Sequence, residues 1–147
     1  MPRLRALTLL ALTLVACKNP ERDELLNWLD DYDYERSGVR VALCTCPAMV
    51  DLGYVTDDEC EADQPALSSA DKECIADVFE GTEALGIDYY SCVTPLLREY
   101  GLCLGNQLLS ECPLDWDEPC TSDYEAALAS CPTLSSAKAA AVLDCSG

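Results

Sequence analysis

The side chains with the most distinctive chemistry in this sequence are its 11 cysteines. A thiol can form a disulfide, bind a metal, carry out redox exchange or accept a covalent group. Zinc is the weaker alternative, because the sequence has no histidine and no Cys-x-x-Cys pair. A redox bridge within Cys44-Thr45-Cys46 would close a small, strained ring. We therefore expect structural disulfides, and the odd count leaves one cysteine for another use.

The first 16 residues have the pattern of an export signal. Arg3 and Arg5 supply a positive end, and residues 6–16 are apolar apart from two threonines. This stretch is shorter than the roughly 20 residues that span a bilayer. Ordinary signal cleavage requires small residues one and three positions before the cut, and Leu14 is too large for a cut after Ala16.

The residues around the signal's end, Leu14-Val15-Ala16-Cys17, resemble the lipobox of bacterial lipoproteins. The resemblance covers residues 1–17 and implies that Cys17 takes a diacylglyceryl group, with cleavage just before it and acylation of its new amine. Each buried acyl CH₂ contributes about 0.8 kcal/mol to anchoring. Within this class Lys18, in place of Asp, favours the outer membrane of the cell envelope. The alternative is an ordinary structural Cys17 in a secreted, non-lipidated protein.

The signal divides the chain into three parts. We expect a signal peptide over 1–16, a lipidated cysteine with a very short tether over 17–19, and one acidic helical domain over 20–147, which is long enough for a modest core.

In an oxidising compartment the other ten cysteines would form five disulfides. Their pairing is not determined by the sequence. They are Cys44, Cys46, Cys60, Cys74, Cys92, Cys103, Cys112, Cys120, Cys131 and Cys145.

The chain is strongly acidic, with 27 Asp and Glu against nine Lys and Arg and a formal net charge of −18. Loss of Arg3 and Arg5 with the signal would make it more negative. Such a charge repels nucleic acid and anionic lipid surfaces, so the expected contact with the membrane is through lipid on Cys17. A solvated surface is the simplest interpretation of these carboxylates, and a surface for cations or a cationic partner is the alternative.

Hydrophobic spacing and capping residues predict an all-α fold, a small disulfide-rich bundle of about five short helices with little or no strand. Asn19-Pro20 is typical of a helix start and Ser37-Gly38 of a helix stop. Val39–Met49 fits a short helix or an extended segment. Thr56–Ala66 is acidic and predicts a loop.

The second half of the chain carries the remaining helix signals. Ser68 and Asp71 form a capping pair before a helix that ends near Gly81 or Gly86. A proline within the apolar stripe of residues 89–100 either kinks one long helix or starts a second.

The last two predicted helices also begin at capping residues. Ser122-x-x-Glu125 is a capping box. Ser135 or Ser136 caps an alanine-rich helix that runs to Cys145.

Two cysteine pairs share a spacing of 11 residues, Cys92 with Cys103 and Cys120 with Cys131. Eleven positions return a helical side chain to nearly the same face. Two antiparallel helices could therefore be laced by Cys92–Cys131 and Cys103–Cys120, a layout similar to twin-cysteine helical hairpin proteins. Cys92–Cys103 and Cys112–Cys120 are the alternatives.

No catalytic constellation is recognisable. The absence of histidine removes the commonest general base and the Ser-His and Cys-His nucleophile pairs. Carboxylates could form a glycosidase-like pair, but close pairs are expected by chance in so acidic a chain. We predict no catalytic residue, no metal site and no cofactor.

Trp116 lies between Cys112 and Cys120, in a loop that two bridges could rigidify, and is the candidate contact residue. The sequence favours a membrane-anchored, non-enzymatic binding or interaction module whose protein or small-molecule partner is unknown. A structural component of the envelope and a small carboxylate-dependent hydrolase are the alternatives.

Overall fold

The computed structural model describes residues 19–45, 53, 55–107 and 115–146. All six secondary-structure elements in these ranges are helices, which confirms the all-α class. The sequence predicted about five. No helix in these ranges is long and apolar enough to cross a membrane. The predictions for residues 1–18, Cys17 among them, and for Cys46 and Cys112 lie outside the described residues. The helices are α1 (Pro20–Cys44), α2 (Asp57–Ala62), α3 (Ser69–Val78), α4 (Glu83–Gln107), α5 (Glu118–Leu128) and α6 (Ser136–Cys145).

Helix α1 begins as predicted but does not stop at Ser37-Gly38. The Asn19 side chain accepts hydrogen bonds from the first-turn amides, and Pro20 opens the helix. Gly38 does not adopt the left-handed conformation that ends many helices. The helix continues because Val39 and Ala42 are buried, and tertiary packing outweighs the local preference of a glycine.

Two other sequence predictions are wrong at helix boundaries. The expected loop over Thr56–Ala66 contains α2, whose start is capped by the Thr56 side chain. The expected capping box at Ser122 lies inside α5, which begins at Glu118 after Asp117. In both places an acidic residue in the first turn interacts favourably with the helix dipole.

The predicted caps of α3 and α6 are confirmed. Ser68 and Asp71 bond reciprocally, at 2.7 Å from the Ser68 amide to Asp71 Oδ2 and 3.2 Å from the Asp71 amide to Ser68 Oγ. Ser135 Oγ accepts from the Lys138 amide. Helix α3 ends at Val78, and Gly81 makes the following turn with a φ of +72°.

Helix α4 is one element of 25 residues with Pro95 inside it, so the sequence alternative of a second helix start is wrong. It pairs with α1 in parallel and in constant register. Asn19 contacts Glu83 across 64 positions at one end, and Glu35 contacts Arg98 across 63 positions further along. This pairing is the most extensive helix contact in the described part of the chain.

Two apolar clusters lie along the α1–α4 pair. The first joins Leu25 and Leu29 of α1 to Tyr90 of α4 and to Phe79, which follows α3. Gly86 permits this contact, because a Cβ there would lie 2.9 Å from Phe79 Cγ and 3.0 Å from both Leu25 methyl carbons. Close-packed interiors leave no room for such an atom.

Trp116 belongs to the second cluster. It is buried, so it is not the exposed contact residue that the sequence predicted. Its side chain is 6% exposed and packs with Val39, Leu97, Leu104 and Cys120. A large aromatic ring gains more by burial than by exposure when a cluster is within reach. Trp116 therefore holds the start of α5 against α1 and α4.

Four disulfides connect the described helices. Both predicted bridges are present, Cys92–Cys131 and Cys103–Cys120, and they join α4 to the segment after α5 and to the first turn of α5. Cys44–Cys60 ties α2 to the end of α1, and Cys74–Cys145 ties α6 to α3. Each short outer helix is thus covalently attached to a neighbour.

Replacement of Gly86 tests the close contact of α1, α3 and α4. Gly86→Ala should lower the free energy of unfolding by about 1–3 kcal/mol, because overpacking outweighs alanine's better helix propensity. Gly105→Ala is the matched control in the same helix, where a Cβ meets nothing within 4 Å. It should raise the free energy of unfolding by about 0.4–1 kcal/mol. Urea unfolding followed by circular dichroism measures both, and stabilisation by Gly86→Ala would contradict the packing.

Candidate binding groove

A surface groove of about 460 Å³ runs between α1 and α4, and we call it the α1–α4 groove. Its volume is within the range of ligand-binding clefts. Three of the side chains along it are large and apolar, and one ion pair crosses it. The lining residues are Tyr34, Glu35, Ser37, Gly38, Val41, Arg98, Gly101 and Leu102.

Helical spacing places these residues on one surface. Tyr34, Gly38 and Val41 follow at intervals of four and three on α1, and Arg98 and Leu102 are four apart on α4. Gly101 lies where the helices are close, since a Cβ there would be in van der Waals contact with Val39 Cγ2 at 3.4 Å. The groove is therefore a product of the close α1–α4 pairing.

Apolar exposure is concentrated in this groove. Tyr34 is 76% exposed, Leu102 58% and Val41 44%. The other large exposed hydrophobic side chains of the described part are Val55 and Leu143, which lie outside the groove. Scattered single exposures are ordinary on protein surfaces, whereas several in one concave site are typical of contact surfaces.

The charge inside the groove is paired. Arg98 Nε donates to Glu35 Oε1 at 2.8 Å, and its Nη2 lies 2.7 Å from the same oxygen. The hydrogen bond and charge of Glu35 raise the pKa of Arg98, and the nearby carboxylates of Asp31 and Glu99 add to the effect. Glu35 thus neutralises Arg98, so the charges among the lining residues of the groove are balanced.

A second groove of about 380 Å³ lies between α4 and α5, beside the Cys103–Cys120 bridge. Tyr100 stacks on Tyr124 with ring centroids 4.9 Å apart, and its hydroxyl lies 3.0 Å from Thr121 Oγ1. Burial raises the pKa of Tyr124 to about 12. These contacts bind the two helices to each other, so this groove is part of the packing interface between α4 and α5. We call the stacked pair Tyr100 and Tyr124 the tyrosine seam.

The acidic surface shows no metal site within the described ranges, where no three Cys, Asp or Glu side chains are placed to hold an ion. Two carboxyl groups have lowered pKa values, and both cap helices. The pKa of Asp71 is lowered by its hydrogen bonds with Ser68. The pKa of Glu83 is lowered first by its own backbone amide and then by Gly81 and Asn19. A lowered pKa suits a structural cap, since a general acid requires a raised one.

Sequence reasoning did not identify the residues of the α1–α4 groove. The predicted stop at Gly38 placed Val41 outside the helix, so its alignment with Tyr34 was not visible. Leu102 could not be assigned to a surface without knowing which face of α4 packs on α1. The sequence feature that could have indicated such a surface is the excess of Tyr over Phe, seven against one. Tyrosine combines an apolar ring with a polar hydroxyl and therefore suits partly exposed surfaces.

Comparison with known proteins adds no relative. No family model, no curated protein and no solved structure matches this chain. Function must therefore be inferred from its residues and their geometry.

The tyrosine seam predicts a loss of stability at high pH. Tyr124 keeps its proton in the folded chain up to a pKa of about 12, against 10.0 for an exposed tyrosine. Its contribution to stability is thus complete below pH 10 and declines as the pH rises from 10 towards 12. Tyr124→Phe should make this decline shallower, measured as the free energy of unfolding in urea over that range.

Tyr34→Phe is the matched control for the seam. Tyr34 is 76% exposed, so removal of its hydroxyl should leave the alkaline decline unchanged. The same decline in Tyr124→Phe and in the unaltered chain would contradict the assignment.

Proposed function

We propose that this chain is a lipid-anchored bacterial envelope protein whose helical domain binds a partner through the α1–α4 groove and catalyses no reaction. The lipobox-like residues ending at Cys17 support the anchor, and Lys18 favours the outer membrane. Four disulfides support an oxidising, exported location, because such bridges rarely persist in the cytosol.

The start of α1 supports a short separation between the domain and its anchor. Asn19 lies two positions after Cys17, caps α1 and donates to Glu83 Oε1 at 2.7 Å. Lipid on Cys17 would therefore be two residues from the end of the α1–α4 pair. At 1.5 Å per residue, Tyr34 and Val41 lie about 21 and 32 Å along α1 from Pro20. A helix pair that points away from the bilayer would present the groove to the aqueous space.

The observation that carries the binding role is the exposed apolar lining of the α1–α4 groove. Burying a Leu or Val side chain contributes about 1.5–3 kcal/mol, and this contribution becomes available when a partner covers Val41 or Leu102. The groove is open, with Tyr34 76% exposed, whereas small-molecule pockets bury most of their ligand. Its shape favours an extended or helical segment of another protein.

The intact mass of membrane-extracted protein tests the anchor. We expect the full sequence, expressed in a bacterium, to lose residues 1–16 and to gain a diacylglyceryl group and an amide-linked acyl chain. Reduction should add two hydrogens for each of five bridges. Cys17→Ser should abolish the lipid mass. A mass without lipid in the unaltered chain, or ten free thiols, would contradict the proposal.

Photocrosslinking in cells tests the binding role. A photoreactive residue at Leu102 should capture a defined envelope partner, because this side chain is exposed inside the groove. The matched control is the same residue at Leu143, which is 69% exposed on α6 outside the groove. Equal capture at both positions, or none at Leu102, would favour a structural envelope component instead.

A further inference from the structure

We propose that the groove between α4 and α5, which we call the α4–α5 groove, binds a small organic cation, an ammonium ion that carries an apolar group. The ammonium lies between Glu99 and Asp123, and the apolar group lies against the tyrosine seam. This site is separate from the α1–α4 groove, and the inference does not depend on the binding role proposed for that groove.

Two disulfides fix α4 and α5 in an antiparallel register. Cys103 is bonded to Cys120 in the first turn of α5, whereas Cys92, earlier in α4, is bonded to Cys131 after α5. Each step back along α4 from Cys103 is therefore matched by a step forward along α5 from Cys120. The tyrosine seam follows this register, since its two residues lie three positions before Cys103 and four after Cys120 and their rings are stacked.

The same register places Glu99 opposite Asp123. Glu99 lies four residues before Cys103, and Asp123 lies three residues after Cys120. At about 1.5 Å per residue, the two positions differ by about 1.5 Å along the helix pair. Both residues line the groove and both are exposed. Two like charges thus lie on opposite walls of the groove at the same level.

The described residues provide no ion-pair partner for these two carboxylates. The groove has no Lys or Arg among its lining residues, and no ion pair of the described part includes Glu99 or Asp123. Arg98, the cation on which Glu99 acts electrostatically, lies in the α1–α4 groove and is bonded to Glu35 there. Two facing carboxylates repel each other, and a cation between them is attracted by both. The lining of the groove itself therefore selects a cation.

The other lining residues favour an organic cation over a metal ion. Calcium takes about six to eight oxygen ligands, and no three Cys, Asp or Glu side chains in the described ranges are placed to hold an ion. Aromatic rings attract an ammonium held over their faces, and Tyr100 and Tyr124 lie next to the carboxylates along the groove. Leu96 and Ala127 line the groove one turn beyond the tyrosines, so an apolar group on the ammonium also finds apolar contacts.

The dimensions of the α4–α5 groove suit a small molecule. Its volume is about 380 Å³, within the roughly 300–1,000 Å³ of ligand-binding clefts. Its two tyrosines are half-buried, whereas Tyr34 of the α1–α4 groove is 76% exposed. From the level of the Cys103–Cys120 bridge to Leu96, the lining extends about 10 Å along α4. A molecule of that length fits between the bridge and the apolar end.

Calorimetric titration of the lipidated full chain in phosphatidylcholine vesicles tests the chemical class, with empty vesicles as the blank. The probe is phenethylammonium. Phenethyl alcohol lacks its charge and methylammonium lacks its apolar group. We expect saturable binding of the probe, about tenfold or more weaker binding of the other two, and a loss of affinity as salt is added.

Four results of this titration would overturn the proposal. They are no saturable binding of phenethylammonium, equal binding of phenethyl alcohol, equal binding of methylammonium, and displacement of the probe by an equal concentration of Ca²⁺. The first removes the site, the second removes the cationic class, the third removes the apolar contact, and the fourth assigns the carboxylates to a metal.

Substitutions in the chain locate the binding. Glu99→Gln and Asp123→Asn should each weaken phenethylammonium about fivefold or more, because each removes a unit charge about 4 Å from the ammonium. The two together should weaken it further. Glu118→Gln with Glu125→Gln removes the same charge from α5 outside the groove and should have a smaller effect. Equal effects of the two double variants would overturn the proposal.

Stability separates a binding role of the carboxylates from a structural one. Glu99 and Asp123 are exposed and repel each other, so their neutralisation should not lower the midpoint of urea unfolding. A lower midpoint together with weaker binding would assign them a structural role and overturn the proposal.

Leu102→Gln separates this site from the α1–α4 groove. It alters that groove only and should leave the affinity for phenethylammonium unchanged. Weaker binding in Leu102→Gln would place the probe in the α1–α4 groove and overturn the proposal. Failure of the crosslink at Leu102 would contradict the binding role of the α1–α4 groove and leave the α4–α5 site intact.

Discussion

The parallel pairing of α1 with α4 is the contact on which the rest of this structure depends. Its register holds from the Asn19–Glu83 hydrogen bond to the Glu35–Arg98 ion pair. Close approach is possible because Gly86 leaves room for Leu25 and Phe79. The two apolar clusters and the α1–α4 groove are consequences of this pair, since one side of the pair is covered by other helices and the other side remains open.

Disulfides supply stability that hydrophobic burial alone does not give to a chain this small and acidic. Net negative charge opposes compaction, and each native bridge in a small exported domain contributes about 2–5 kcal/mol. The four described bridges attach α2, α5 and α6, which are short helices, to longer or better packed neighbours. Isolated helices of 6 to 11 residues are marginal in water, so covalent attachment and packing must stabilise them. The bridges thus fasten α2 to α1 and α5 to α4, the two helices that form the α1–α4 groove.

Predictions from local chemistry succeeded where the deciding contact is close in sequence. The caps at Asn19, Ser68 and Ser135 involve amides within three residues, so the residue types were sufficient. The lacing of α4 and α5 followed from the helical period. Two other predictions failed because a distant contact decides. Burial of Val39 carries α1 past Gly38, and a cluster supplied by α1 and α4 removes Trp116 from the surface.

The sequence by itself determined the all-α class, the acidic composition and the disulfide use, and it predicts lipid on Cys17, because each depends on residue type or short spacing. Only the tertiary structure decided that Tyr34, Val41 and Leu102 share one groove and that Arg98 within it is already neutralised by Glu35. Those juxtapositions join residues more than 60 positions apart. They depend on which faces of α1 and α4 meet, and that choice is made by the packing of the whole chain.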